Sequence, residues 1–411
     1  MNNNITLADI CNANNLAKAF KETTRETFWK ESVQRYGLNL LQNIRKAQVE
    51  ITDGSYTSKP MREFIIRDRG KTRRIKAPHI FDRVIQRCLN DYVLFPSMQD
   101  KLIYDNGASI KGKGLSFSRK RFMNHLQNAY NEYGEDGVIL HGDFTKFFDN
   151  LLHKESVEMT KPLVNNDLLK FIESRIREFA VDVSFMSDEE YKHCLEQIHD
   201  SVTYNFPKEL RTGKKLMYKS MSVGNHIAQL YGVFYPTKFD NFFKIVKSFK
   251  YYGRYMDDFY IIYNNKEELL RVLKEVEPIC KKLGLHINHK KTYIKPIREW
   301  NVFLKINHKI DAYGKIIRKP CNVLWRRERK RLLKYKKLLL GKQLKIQDIH
   351  NCFRSWLGTY KKLQCGNRIY KIKQYFQKLF YNELYEYFVK HKFNYKYKFR
   401  PFPINIYKFS Y

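Results

Sequence analysis

Tyr251-Tyr252-Gly253-Arg254-Tyr255-Met256-Asp257-Asp258-Phe259-Tyr260-Ile261-Ile262-Tyr263 is the stretch on which the reading of this chain turns. Two short runs of aromatic and β-branched residues flank two adjacent acids, a pattern that predicts a hairpin with Asp257 and Asp258 at its turn. Neighbouring carboxylates are a poor choice for fold stability, because each raises the cost of ionising the other unless a cation sits between them. An acidic turn on a loose surface loop would simply be solvated. Here apolar flanks hold the pair at the edge of a core, and a divalent metal is the counter-ion that removes the cost.

Composition narrows the partners. Lys and Arg number 77 against 42 Asp and Glu, a formal charge of +35, far beyond what solubility needs. A large polyanion is the expected partner, and with 15% aromatic residues available to stack on bases, nucleic acid ranks above a membrane surface. The 411 residues suffice for two or three domains. Seven dispersed cysteines with no Cys-x-x-Cys pair argue for a reducing interior and against a disulfide framework or zinc site. Met1–Asn15 has no apolar signal core and no later run is long enough to cross a bilayer, so a soluble cytoplasmic protein is expected.

Residues from about 15 to 50 show helical spacing of Leu, Ala, Phe and Trp. Glu63-Phe64-Ile65-Ile66-Arg67 and Arg73-Arg74-Ile75 read as two strands joined by a basic turn, suited to gripping a triphosphate. Val138-Ile139-Leu140-His141-Gly142-Asp143 reads as a buried strand ending in an acid.

Tyr-Met-Asp-Asp within such a hairpin resembles the signature of reverse transcriptases, and further matches occur in that family's order from about residue 60 to 360. The likeness is to diversity-generating retroelement, group II-like and defence-associated enzymes of prokaryotes. Lys71-Thr72-Arg73-Arg74-Ile75 followed by Asp82-Arg83-Val84 resembles the fingers segment. This implies that Lys71 and Arg73 contact the phosphates of the incoming nucleotide, one as a point charge and one as a bidentate fork. Arg74 and Lys76 read equally well as a solvated basic turn. Lys111-Gly112-Lys113-Gly114 matches a Gly-Lys-Gly loop, which implies that Lys111 and Lys113 bind the template backbone.

Asp143 through Asp149 looks like the first palm motif. The resemblance makes Asp143 a metal ligand beside Asp257 and Asp258, with the Phe144 carbonyl as a further donor and Asp149 structural. Phe148 matches the bulky position that excludes a ribose 2′-hydroxyl. Gly224, Asn225 and Gln229 match the second palm motif, where Gly224 implies close backbone approach to the nascent base pair and Gln229 a bond to template or nucleotide. Asn225 would contact nucleic acid or cap the following helix. Ser220, Ser222 and Ala228 stand where the family has Gly, Pro and Ser. Asn288-His289-Lys290-Lys291-Thr292 makes Lys291 the candidate to neutralise or protonate departing pyrophosphate, a plain surface lysine being the alternative. Val302-Phe303-Leu304 matches the primer-grip turn, with Lys305 in place of its glycine. A basic helix from Leu324 would present Arg326, Arg327, Arg329 and Lys330 to a duplex minor groove.

The resemblance implies an α+β right-hand polymerase. Its expected parts are an N-terminal helical extension (1–60), fingers (61–137), a palm (138–300) with an insertion at about 160–212, primer grip and thumb (301–375), and a basic aromatic tail (376–411). It further implies RNA-directed DNA synthesis by two-metal nucleotidyl transfer with Mg2+ or Mn2+, dNTPs, a structured noncoding RNA as template and DNA as primer or product. An accessory protein or a second copy of the chain would complete the assembly, in retroelement mobility or antiphage defence. Two other readings stay open. Untemplated or protein-primed synthesis fits the departures at Ser222 and Ala228, and a silent RNA-binding scaffold fits the charge, although three retained carboxylates argue against it.

Overall fold

β-branched and aromatic runs set the strands, and their pairing sets the site. The computed structural model describes residues 5–68, 70–202, 208–360 and 363–390, which fall into two units, Met1–Ile297 and Arg298–Tyr411. In the first unit β1 (Arg62–Asp68) and β2 (Lys71–Ala77) form an antiparallel hairpin. β3 (Val138–Asp143) is followed by the short pair β4 (Val181–Asp182) and β5 (Leu216–Met217). Then come β6 (Tyr251–Tyr255), β7 (Asp258–Tyr263) and β8 (Tyr293–Pro296). The main sheet runs β6-β7-β3-β8 and every pairing in it is antiparallel.

The centre of this sheet is apolar on both faces, and Ile139, Leu140, Phe259, Ile261 and Ile262 are all buried. On one face the helices His226–Phe234 and Thr237–Asn241 lead into the hairpin. Phe144, Phe239, Phe243 and Phe259 meet there, with Phe239 4.9 Å from both Phe243 and Phe259 and 5.0 Å from Phe144. Each buried phenyl ring contributes roughly 1.5–3 kcal/mol, so the cluster anchors the sheet from which the acids project. Before β1, the helices Leu7–Cys11, Ala13–Thr24, Glu31–Leu38 and Leu40–Thr52 bury Leu16, Phe20, Val33, Ile44 and Ile51 and leave their charged faces outward.

The segment at 160–212, whose pattern is loose in the sequence, contains the helices Asn166–Arg177 and Asp188–Glu196. It acts as a brace. Arg175 bonds Ser58 Oγ at 2.6 Å and Glu178 at 2.6 Å while its guanidinium lies 4.4 Å from the Tyr56 ring. Asn150 and His199 exchange hydrogen bonds of 2.9 and 3.1 Å, and Asp149 Oδ2 accepts from the Ser201 amide at 3.3 Å. Asp149 is thereby committed to holding this segment.

The second unit begins with the meander β9 (Asn301–Phe303), β10 (Ile306–Ile310) and β11 (Ile316–Pro320), ordered β11-β10-β9. Four helices follow, Asn322–Leu340, Ile346–Tyr360, Gly366–Leu379 and Tyr381–Lys390. Their core is built on Trp325, Leu332, Phe353 and Phe376, with the last two rings stacked at 4.1 Å. Phe376, Phe380 and Leu384 also lie in that core. The first part of the expected tail is packed helix, because the 3.6-residue spacing of those side chains gives it an apolar face. Residues 391–411, the rest of the expected basic aromatic tail, lie outside the described residues. No helix among the described residues is long and apolar enough to cross a membrane, and all seven cysteines are free thiols.

Phe303 faces Ile306 across the ladder, so Leu304 and Lys305 alone make the turn, at φ +47° and +67°. Positive φ at both positions is the pattern of a type I′ turn, which favours Asn-Gly and strains a residue with a Cβ. Lys305→Gly is therefore expected to stabilise the protein by roughly 1 kcal/mol, read as a higher urea midpoint at unchanged m-value.

Candidate active site

β3 and β7 pair so that Asp143, the last residue of one, stands opposite Asp258, the first of the other. Tyr255 faces Asp258 across the hairpin, which leaves Met256 and Asp257 as a two-residue turn. Met256 takes φ +56°, a left-handed conformation that costs a side-chain-bearing residue roughly 1–3 kcal/mol. The Asp257 carbonyl accepts from the Phe144 amide at 3.2 Å, tying the turn to the end of β3. The register thus brings three carboxylates to one corner of the sheet.

Their electrostatics follow from burial and mutual repulsion. Burial and the neighbouring Asp143 push the Asp257 carboxyl above its ordinary value, offset in part by Lys291 and Lys71. Burial, then Asp257 and Asp143, push Asp258 up to about 7, again against Lys291. Lys291 Nζ lies 2.5 Å from Asp143 Oδ2, and Asn288 Nδ2 lies 3.3 Å from the same oxygen. The Asn288 amide also donates to the Asp143 carbonyl at 2.7 Å, so the segment carrying Lys291 is bound to the strand it serves. Among the described residues no three His, Cys, Asp or Glu side chains already stand as a ligand group. The donor set fits a hard divalent ion nonetheless: it is all carboxylate oxygen, and a cation relieves the repulsion that raises Asp257 and Asp258.

Beneath the turn lies an ion pair that sequence reasoning missed. Arg254, on β6, is wholly buried and grips Asp240 with two bonds of 2.7 Å. It also donates to the Val233 carbonyl at 2.7 Å and the Met256 carbonyl at 3.0 Å, while Tyr252 OH donates to Asp240 at 2.5 Å. The Met256 bond holds the strained residue of the turn in place. The available signal was an arginine inside an otherwise apolar strand, which needs a buried acid as partner.

Phe148 packs beside the turn. A Cβ built on Gly232 would fall 2.9 Å from the Phe148 ring and 3.2 Å from Met256 Sδ, so the ring, the glycine and the turn meet closely. Gly224 takes φ +119°, and a Cβ there would lie 2.9 Å from Ile75 Cγ2, which lets the loop close on β2. Ser222 reinforces that closure, its Oγ accepting from the Lys76 amide at 3.1 Å. Ser220, at a family glycine position, takes φ +91°.

The remaining candidates divide. Lys71 and Arg73 are exposed and two apart on β2, hence on one face, and the charge of Lys71 is felt at Asp257. Gln229 is exposed with Nε2 2.9 Å from Ser109 Oγ, and Lys111 is exposed on its loop. Asn225 is buried and caps its helix, accepting from the Ala228 amide and donating to the Ser222 carbonyl, both at 2.6 Å. A cap with its side chain so engaged shapes the loop rather than reaching nucleic acid. Lys113 likewise turns inward, donating to the Tyr104 carbonyl at 2.7 Å and lying over the Tyr104 and Phe117 rings. Arg74 is buried against Glu63 at 2.6 Å, with Arg211 on the same acid at 2.8 Å, and Lys76 is mostly buried with its amine pushed down to about 8 by desolvation. Neither is a solvated turn residue. Arg326, Arg329 and Lys330 are exposed and Arg327 half-buried on the helix Asn322–Leu340 of the second unit.

Residues 58–300 match the family model described as reverse transcriptase (RNA-dependent DNA polymerase). The chain belongs to that family. Its fold class is accordingly the right-hand polymerase, here with mixed helices and antiparallel sheet. Among solved structures it is similar to apo telomerase from Candida tropicalis, at 15% identity and a TM-score of 0.38, over 61% of this chain and 47% of that one. The chain thus spans about half the length of that relative. No curated protein matches its sequence. Enzymes of the reverse transcriptase family generally use divalent metal ions.

Removing one partner of a buried ion pair strands the other charge, so Asp240→Ala is expected to cost about 3–5 kcal/mol. Pairing it with Arg254→Leu should recover much of that loss, measured by urea unfolding of the single and double variants.

Proposed function

We propose that the chain is an RNA-directed DNA polymerase that copies a structured noncoding RNA into complementary DNA. The reading is supported above all by the register that sets Asp143 against Asp258 with Asp257 at the adjoining turn, three carboxylates at a buried edge, two of them raised by burial and then by their neighbours. Asp143, Asp257 and Asp258, with the Phe144 carbonyl, would hold two Mg2+ ions, Mn2+ being able to replace them. When bound, such ions activate the primer 3′-hydroxyl and neutralise the triphosphate and leaving pyrophosphate in an in-line displacement.

The chain's own residues do the rest. Lys71 and Arg73 grip the triphosphate from β2, the hairpin being held rigid by the Glu63 ion pairs with Arg74 and Arg211. Lys291, 2.5 Å from Asp143, holds a proton at Nζ beside the reacting centre and shares it with the departing pyrophosphate. Phe148, packed against Gly232 and Met256, fills the space a ribose 2′-hydroxyl would need, which favours dNTPs. Gly224 and Gln229 face the nascent base pair, Asn225 fixing the loop that carries them. Lys111 meets template phosphate. On this reading the fingers are 61–137 and the palm 138–300, while the Leu304–Lys305 turn is the primer grip and the helix Asn322–Leu340 belongs to the thumb. The motif likeness to prokaryotic enzymes favours a role in a retroelement or antiphage defence system, and the proposed place of action is the cytoplasm.

A buried acid whose ionisation its neighbours oppose serves function at the expense of the fold. Asp258→Asn should therefore lower dNTP incorporation at least about a thousandfold. With divalent ions chelated, the same variant should be more stable than the intact protein by roughly 1–2 kcal/mol. Retention of incorporation by Asp258→Asn removes the proposed role of the carboxylates.

A further inference from the structure

The second unit carries a cavity of about 270 Å³ whose lining includes four cations, Arg326, Arg329, Arg368 and Lys371, and, among the described residues, no acid. It lies between the helices Asn322–Leu340 and Gly366–Leu379, two cations from each. Both pairs are spaced i, i+3, so like charges neighbour each other along each helix, an arrangement that destabilises a helix pair unless an anion answers it. The frame is fixed. Arg368 donates to Asn322 Oδ1 across the two helices, and the Arg329 guanidinium lies 5.5 Å from the Tyr375 ring. Trp325 and Ile372 also line the cavity and belong to the core with Phe353 and Phe376. The Trp325 indole N–H is buried with no acceptor among the described residues, a further donor left over at the same place.

We propose that this cavity binds the phosphorylated 5′ end of an RNA strand. A backbone phosphate brings one negative charge, whereas a terminal phosphate brings roughly −1.5 to −2 and a triphosphate more, which matches four clustered cations better. At about 270 Å³ the cavity has room for a terminal phosphate group and part of one nucleotide. The phosphate chemistry rests on the cavity alone. Its assignment to RNA rests on the polymerase reading above.

Fluorescence anisotropy of the full chain, with neither dNTPs nor divalent ions, tests it on one short single-stranded RNA carrying a 5′-triphosphate, a 5′-monophosphate or a 5′-hydroxyl. Affinity should fall in that order, with the hydroxyl form weaker than the triphosphate by about tenfold or more. Arg368→Glu with Lys371→Glu should erase the difference among the three ends, while Arg368→Lys keeps it. If the double reversal does not fold, Arg368→Gln, expected to shrink the difference, takes its place. Equal affinity for all three ends in the intact protein overturns the proposal, as does a difference that survives charge reversal. Free ATP displacing the triphosphate RNA as well as an unlabelled copy does so too, by making the ligand a free nucleotide. No synthesis enters the assay, so a chain that discriminates 5′ ends yet makes no DNA retains this site and loses the polymerase reading.

Discussion

Acids crowded and partly desolvated at the corner of a sheet are what the first unit has to hold in place. Asp143 and Asp258 face each other because β3 and β7 pair in one register, and a slip by one residue would turn every side chain of a strand to its other face. Register is held from both sides: by the apolar centre of the sheet, and by the hydrogen bonds that tie Asp257 to Phe144 and Asn288 to Asp143. Under the turn, Arg254 spends its donors on Asp240, Val233 and Met256, so a fully desolvated ion pair supports a strained loop. Such a pair adds little net stability against an apolar substitute. What it supplies here is a unique position for Met256 and the acids beside it.

Backbone strain falls on motif positions in both units. Met256, Ser220 and Lys305 all hold positive φ, at +56°, +91° and +67°. The motif resemblance puts glycine at Ser220 and at Lys305, and both residues keep a conformation that glycine would take without cost. The loop geometry is thus preserved although the residue that makes it easy is gone. Strain of this kind persists where surrounding contacts over-determine the backbone. At Ser220 those contacts include its amide bond to the Leu151 carbonyl and its carbonyl bond to His153.

Much of the site was legible because its elements rest on local pattern. The hairpin around Asp257 and Asp258, the acid ending β3 and the cap-forming Asn225 each follow from a few neighbouring residues. Arg74, Lys76 and Lys113 show the limit: in the sequence they are cations in basic turns, yet each is spent inside the fold on Glu63, the Ala180 carbonyl or the Tyr104 carbonyl. Residue type reports a charge but not its partner, and the partners of Lys76 and of Arg211, which joins Arg74 on Glu63, are more than a hundred residues distant in the chain. Arg254 was hidden for the same reason, its acid lying on a preceding helix. The packing of the Phe376–Leu384 stretch was not legible, because lysines and tyrosines mask a helical apolar face whose core comes from the preceding helices.

Primer extension on a defined heteropolymeric RNA, with four dNTPs and Mg2+ and with every product sequenced, tests the central claim most directly. The account predicts DNA complementary to the template from the intact chain and none from a variant with Asp257→Ala and Asp258→Ala. DNA unrelated to the template, or the same product from both proteins, would contradict it.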